Sequence, residues 1–213
     1  MSLVLRIESK NNEIEQSVKI LSSKLCKELE EFWGIKLKYE PIIFLLNSRK
    51  QINTIRQQDT DKKLVAWFWN KRFIFILRPD KFMKESVFSK KDFDIILKHE
   101  LSHFFFFMIT RGSMPAWMDE GLACYLAGQS SQAKINQTEI KKLIKSFYDF
   151  DRSIFPISTL TVEKLIKLNG KDNFVNFIKS FDKKINEARF KKIYKQFLKQ
   201  EYSKDGIIKL LKQ

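Results

Sequence analysis

The chain has 213 residues, of which 44% are hydrophobic, 31% are charged and only 6 are glycine. A chain of this length and composition can bury a sizeable core as one domain or as two closely packed subdomains. The composition excludes a disordered chain and a fibrous protein, because both classes need far more polar, glycine or proline residues.

The formal net charge is +15, and its excess lies mainly in the last part of the chain. Residues 131–213 carry 19 Lys and Arg against 9 Asp and Glu, whereas residues 1–130 carry 21 against 16. A basic surface attracts nucleic acid, anionic lipid or acidic substrates. Here the lysines are dispersed through amphipathic patterns without a compact run, so we interpret them as a solvated helical surface and expect no nucleic-acid partner.

The number of cysteines and the character of the N-terminal residues limit the cellular compartments to be considered. Cys26 and Cys124 could form at most one bridge, so a disulfide-built fold is excluded and both are expected to be buried thiols. No charged start followed by a long apolar run is present, and no segment approaches membrane-spanning length. We therefore expect a soluble chain without a transmembrane segment, which suits a cytoplasmic protein and equally a secreted or anchored one whose signal has been removed.

The first part of the chain predicts alternating strands and helices. Residues 12–33 keep a helical period of apolar positions and end at Gly34, whereas the apolar runs that follow are short and β-branched or aromatic. The predicted elements are a short apolar segment at 3–7, a helix at 12–33, a strand at Ile42–Leu46, a helix at 48–58, and a hairpin of 64–69 with Phe73–Leu77.

Helices dominate the rest of the chain. We predict them at 92–108, 117–127, 138–148, 161–168, 172–182, 187–199 and 203–212. The change of character beyond Gly128 indicates an α+β chain with a mixed subdomain over residues 1–128 and a helical subdomain over residues 129–213, together forming one domain overall.

The centre of the helix predicted at 92–108 carries both histidines of the chain. His99 and His103 are four residues apart, so on a helix they lie about 40° apart and can point at one metal ion. Neutral imidazole is a good zinc ligand, and three protein ligands leave a fourth position for a water molecule. Glu100 lies beside this face and could accept the proton of that water, so we expect one Zn²⁺ per chain.

A third ligand must be a carboxylate, because the chain has no third histidine. The nearest downstream acids are Asp119 and Glu120, at the start of the next apolar helix. A small residue after Glu120 would let this helix and the histidine helix approach closely. Either acid could instead be a helix N-terminal charge favoured by the helix dipole, so the residues alone leave both open.

The segments His-Glu-Leu-Ser-His and Trp-Met-Asp-Glu-Gly-Leu-Ala-Cys-Tyr resemble the gluzincins, the thermolysin-like and aminopeptidase-like zinc peptidases, and most closely their compact bacterial peptidase-MA-like relatives. The resemblance is specific over residues 92–127 and implies a zincin-like fold. Carried over residue by residue, it implies that His99, His103 and Glu120 bind zinc and that Glu100 is the general base. More loosely, the hairpin resembles the family's substrate-binding edge strand, and residues 155–160 resemble its linker to the rear helices.

The chain departs from the family pattern at one position and leaves the residue for a second role unassigned. Four residues after the third ligand, thermolysin-like enzymes carry an Asp that supports a ligating His, whereas this chain has Cys124. The family also uses a Tyr or His to stabilise the tetrahedral oxyanion. With no spare His, the candidates for that role are Tyr125, Tyr148, Tyr194 and Tyr202.

Together these observations predict a zinc metallopeptidase with its cleft between the two subdomains and a peptide or protein as substrate. An edge strand over residues 72–77 would pair with the extended substrate backbone. One alternative is a basic zinc protease acting on nucleic-acid-bound proteins. Another is a non-catalytic, peptide-binding zincin-like module, against which the intact Glu100 argues.

Overall fold

The structure is a computed structural model, which describes residues 3–6, 12–112, 115–129, 135–145, 147, 151–181 and 186–213. Within these residues the protein is mostly helical and belongs to the α+β class that the sequence predicted. The elements in chain order are β1 Leu3–Arg6, α1 Asn12–Trp33, β2 Ile42–Leu46, α2 Arg49–Arg56, β3 Ala66–Trp69, β4 Phe73–Leu77, α3 Phe82–Glu85, α4 Asp92–Thr110, α5 Ala116–Leu126, α6 Gln137–Lys145, α7 Phe155–Asn169, α8 Lys171–Lys179, α9 Glu187–Leu198 and α10 Lys204–Lys212. Short 3-10 turns at Pro79–Lys81 and Arg152–Ile154 precede α3 and α7.

The chain divides into two compact units, residues 1–104 and residues 105–213. The division falls inside α4, which is one unbroken helix. The sequence had indicated a subdomain boundary later in the chain, after residue 128. That subdomain boundary stays a prediction.

The first unit contains a four-stranded sheet with the strand order β1-β2-β4-β3. β2 runs parallel to both β1 and β4, and β3 pairs with β4 in the antiparallel sense. The hairpin between β3 and β4 turns through Asn70 and Lys71, whose φ angles of 47° and 68° suit the twist of a tight hairpin. The expectation of an edge strand at residues 72–77 is wrong: β4 is paired on both sides, and β3 is the edge of the hairpin.

The two faces of this sheet carry different kinds of contact. On one face Ile43, Ile74 and Ile76 are fully buried, and Phe68 of the same face meets Phe104 of α4 at a ring-centroid distance of 6.3 Å. On the other face aromatic rings stack across three strands. Phe75 lies 4.8 Å from Phe44 and 4.9 Å from Trp67. The strand pairing and α4 are therefore held together through aromatic and β-branched contacts.

The second unit is helical, and its core is built from aromatic side chains of α8 and α9. Phe177, Phe190 and Tyr194 are fully buried and lie edge-on or tilted to one another at centroid distances of 5.6 to 6.1 Å. α7 begins at Phe155, with Pro156 in its first turn. The expectation of a linker at residues 155–160 is therefore wrong, because proline at this position favours the start of a helix.

Both cysteines are buried free thiols, as expected. Burial raises the pKa of the Cys26 thiol to about 12, and the nearby Glu30 carboxylate acts in the same direction. Among the described helices, none combines the length and the apolar character that crossing a membrane requires.

Candidate metal centre

The candidate centre is built on α4, whose start and burial follow from its sequence. The Asp92 carboxylate accepts hydrogen bonds from the Ser89 backbone N–H and hydroxyl, at 2.7 and 2.9 Å, which is the carboxylate half of a capping box. Leu97, Leu101, Phe104 and Phe105 are fully buried, so the helix is held in the core along most of its length.

Two polar residues of α4 lie next to the histidines in the sequence. The Lys98 ammonium donates to the Glu28 carboxylate of α1 at 2.8 Å, a partly exposed pair that contributes about 0 to 1 kcal/mol. Ser102 is 2% exposed and donates to the Lys98 carbonyl one turn earlier. A buried hydroxyl is accommodated there because the helix backbone supplies its acceptor.

His99 and His103 face one another across a single helical turn. Their Nε2 atoms are 3.1 Å apart, and the rings are nearly perpendicular, with centroids separated by 4.7 Å. His103 is buried and His99 is half-buried. The spacing of four residues therefore brings one nitrogen from each ring to within 3.1 Å of the other, as the sequence predicted.

Glu120 comes from the first turns of α5, which follows Pro115. Its carboxylate and one nitrogen each of His99 and His103 all lie within 4.8 Å of one another, and this group of three could hold a metal ion. Asp119, its neighbour, does not belong to that group. Consecutive residues on a helix point about 100° apart, so only one of the two acids can turn toward the histidines.

The donor set fits zinc. Two ligands at about 2.0–2.1 Å from a tetrahedral zinc ion lie roughly 3.3 Å apart, close to the 3.1 Å between the two imidazole nitrogens. Two imidazoles and one carboxylate are also the ligand set of catalytic zinc sites that keep a position open for water. Partial burial of all three residues reduces competition from bulk solvent.

Glu100 occupies the position between the two histidines along the helix. It is 8% exposed. Helix geometry places it about 100° around the axis from His99 and about 60° from His103, so it borders the ligand face without lying on it. That position distinguishes it from the three residues grouped as ligands, and its part in catalysis stays a prediction.

The four tyrosines singled out from the sequence have different surroundings. Tyr194 is fully buried among aromatic rings, and burial holds its pKa far above the ordinary range. Tyr202 accepts a hydrogen bond from Trp117 Nε1 at 2.9 Å, and burial likewise raises its pKa. Tyr125 is half-buried on α5. Tyr148 lies outside the described residues. None of these facts assigns an oxyanion role to any of the four.

Sequence reasoning missed the packing partners of two residues that directly follow candidate ligands. Phe104 directly follows His103 and packs against Phe68 of β3 and Tyr39, with ring centroids 6.3 Å away in both cases. Gly121 directly follows Glu120, and the helix whose atoms come closest to it is α7, not the histidine helix that was expected there. From the sequence, an aromatic residue next to a candidate ligand indicates that some side chain packs against it. Which side chain that is depends on the tertiary fold.

Comparison of the chain with protein-family models, with curated proteins and with solved structures finds no match in any of the three.

Proposed function

We propose that this protein is a zinc-dependent peptidase with a zincin-like fold, related to the gluzincins. The observation that carries the proposal is the convergence of His99, His103 and Glu120, whose ligand atoms lie within 4.8 Å of one another. The motif suggested the two histidines and the first glutamate. The third ligand comes from a different helix 17 positions after His103, so its place beside them is an independent support.

The residues of the centre have separate roles in this proposal. His99, His103 and Glu120 hold one zinc ion, which when bound polarises the scissile carbonyl and lowers the pKa of water. Glu100 accepts the proton of the attacking water and passes it to the leaving amine. A buried carboxylate suits this task, because it is held in place beside the ligands and is shielded from bulk water.

The substrate backbone pairs with β3 in this proposal. Within the described residues β3 is hydrogen-bonded to a strand on one side only, so its other edge offers N–H and C=O groups to an added strand. Phe68 of β3 packs on Phe104, the residue after His103, which places this strand beside the ligand helix. Main-chain pairing gives affinity with little demand on the substrate's side chains.

Hydrolysis of a mixed peptide library by the purified protein, followed by mass spectrometry of the products, tests the proposal. We expect cleavage that a chelator abolishes and that stoichiometric zinc restores. A protein that binds zinc at one per chain and cleaves no peptide would reject the catalytic part of the proposal. A protein that binds no zinc would reject it entirely.

A further inference from the structure

The contact between α5 and α7 at Gly121 is unusually close. A Cβ atom added at Gly121 would lie 2.5 Å from the Ser158 carbonyl oxygen, 2.7 Å from the Ser158 carbonyl carbon and 3.0 Å from Val162 Cγ2. The first two are backbone atoms of α7, so a change of side-chain rotamer cannot move them away. Only glycine lets the two helix backbones approach this far.

Gly121 has no conformational reason to be glycine. It lies inside α5, and its φ angle is not in the left-handed region. Alanine is a better helix former than glycine, so α5 alone would be more stable with alanine at this position. The requirement for glycine therefore comes from the close approach of α7. It applies to Gly121, the residue that directly follows Glu120.

We infer that Gly121 is a positioning residue for Glu120: its missing side chain lets the α7 backbone set the position of α5, and so places the Glu120 carboxylate beside His99 and His103. This inference rests on the proposed metal site. It adds that the site depends on a helix that contributes no ligand. Trp117, one turn before Glu120, is held by Tyr202 through a 2.9 Å hydrogen bond, which provides a second anchor for the same end of α5.

The structure gives the size of the expected displacement. Relieving the contact from 2.5 Å to an ordinary separation of about 3.4 Å requires a shift of roughly 0.9 Å, whereas metal–ligand distances tolerate about 0.2 Å. Rotation of the glutamate side chain can recover part of this shift. We therefore expect Gly121→Ala to weaken zinc binding about 10- to 100-fold, as replacement of supporting residues around metal sites does.

The test is a zinc titration of the full chain against a competing chelator, with wild type, Gly121→Ala and Glu120→Ala measured together. Gly170→Ala is the control for a loss of stability alone. Gly170 follows α7 with φ 78° and ψ 149°, a backbone conformation that alanine adopts only with strain, and nothing lies within 4 Å of a Cβ placed there. Val162→Ile enlarges the α7 side of the same contact and serves if Gly121→Ala does not fold.

The expected result is a 10- to 100-fold weaker affinity for Gly121→Ala, a smaller loss in the same direction for Val162→Ile, and wild-type affinity for folded Gly170→Ala. Wild-type affinity in folded Gly121→Ala, or in Val162→Ile where that variant replaces it, would overturn the inference, provided that Glu120→Ala has lost zinc. If wild type binds no zinc or Glu120→Ala keeps it, the proposed site fails first, and the inference fails with it.

Discussion

The hydroxyl groups of Tyr202 and Tyr194 provide a stringent test of the packing in the second unit. Tyr202 accepts a hydrogen bond from the indole N–H of Trp117 at 2.9 Å, and its ring stacks on that indole with an angle of 8° between the planes. Trp117 is fully buried and Tyr202 is 4% exposed. The change Tyr202→Phe keeps the ring and removes a hydroxyl that accepts a hydrogen bond from the buried indole N–H and donates one to the Ile144 carbonyl at 3.5 Å.

The expected cost follows from that geometry. A buried N–H left without a hydrogen-bond partner lowers the free energy of unfolding by about 1 to 3 kcal/mol, because the group gave up its hydrogen bond to water on folding and gains none in the folded protein. With a denaturant slope of roughly 2 kcal/mol/M, the urea midpoint should fall by about 0.5 to 1.5 M. The Tyr202 ring centroid is 5.4 Å from that of Tyr194, so both residues report on one cluster.

Tyr194→Phe is the matched control and should behave in the opposite way. The Tyr194 hydroxyl is buried and makes no hydrogen bond within the part of the chain that the structure describes. Removing it relieves an uncompensated desolvation, so the stability should stay the same or rise. Urea unfolding followed by tryptophan fluorescence measures both variants. Equal losses in the two, or a larger loss in Tyr194→Phe, would refute the reasoning.

Three further predictions concern the centre, a thiol and the charge. Glu100→Gln should retain zinc and lose several orders of magnitude in peptide turnover, because it removes the proposed base and no ligand. Zinc content and turnover are measured on the same sample, and an equal loss of both would contradict this role. The pKa of Cys26 is raised to about 12, so its thiol stays neutral in the folded state while the unfolded thiol ionises from about pH 9. Stability should thus fall as pH rises from about 9 toward 12, and less steeply in Cys26→Ala; identical slopes by urea unfolding would argue against a buried neutral thiol. Duplex DNA should bind at physiological salt no more tightly than roughly 10⁻⁴ to 10⁻⁶ M, and nanomolar binding in a fluorescence anisotropy titration would favour the nucleic-acid-linked alternative.

Local patterns predicted most of the secondary structure. The apolar period of α1 and the glycine after it place that helix at Asn12–Trp33, and the β-branched run places β2 at Ile42–Leu46. Both elements are specified by residues within a few positions of one another. The start of α7 was missed because a proline within residues 155–160 was interpreted as part of a linker, although proline is equally at home in the first turn of a helix.

The order of the strands could not be predicted in the same way. β4 reads Phe-Ile-Phe-Ile-Leu, and its last four residues are buried, which is typical of a strand with neighbours on both sides. That signal was present in the sequence, but which strand flanks β4 depends on pairing between residues about 30 positions apart. The same limit applies to Gly121, because its partner in α7 lies 37 positions away.

The candidate centre was predictable to different degrees for its different residues. The helical spacing of His99 and His103 is sufficient to bring their nitrogens together, and the 3.1 Å separation agrees with it. Glu120 could be separated from Asp119 only through resemblance to a family or through the fold itself. Which tyrosine could stabilise an oxyanion depends entirely on its position in the tertiary fold. Helix geometry turns Tyr125 about 140° away from Glu120.

Zinc content after dialysis against a mild chelator tests the central claim most directly, with wild type, Glu120→Ala and Asp119→Ala treated identically. Glu120 is grouped with the two histidines, whereas Asp119 is not. We predict one zinc ion per chain in wild type and in Asp119→Ala, and little or none in Glu120→Ala, because two imidazoles alone form an incomplete site. Zinc lost from the Asp119 variant and kept by the Glu120 variant would contradict the assignment of the third ligand, and wild type without zinc would contradict the metal centre itself.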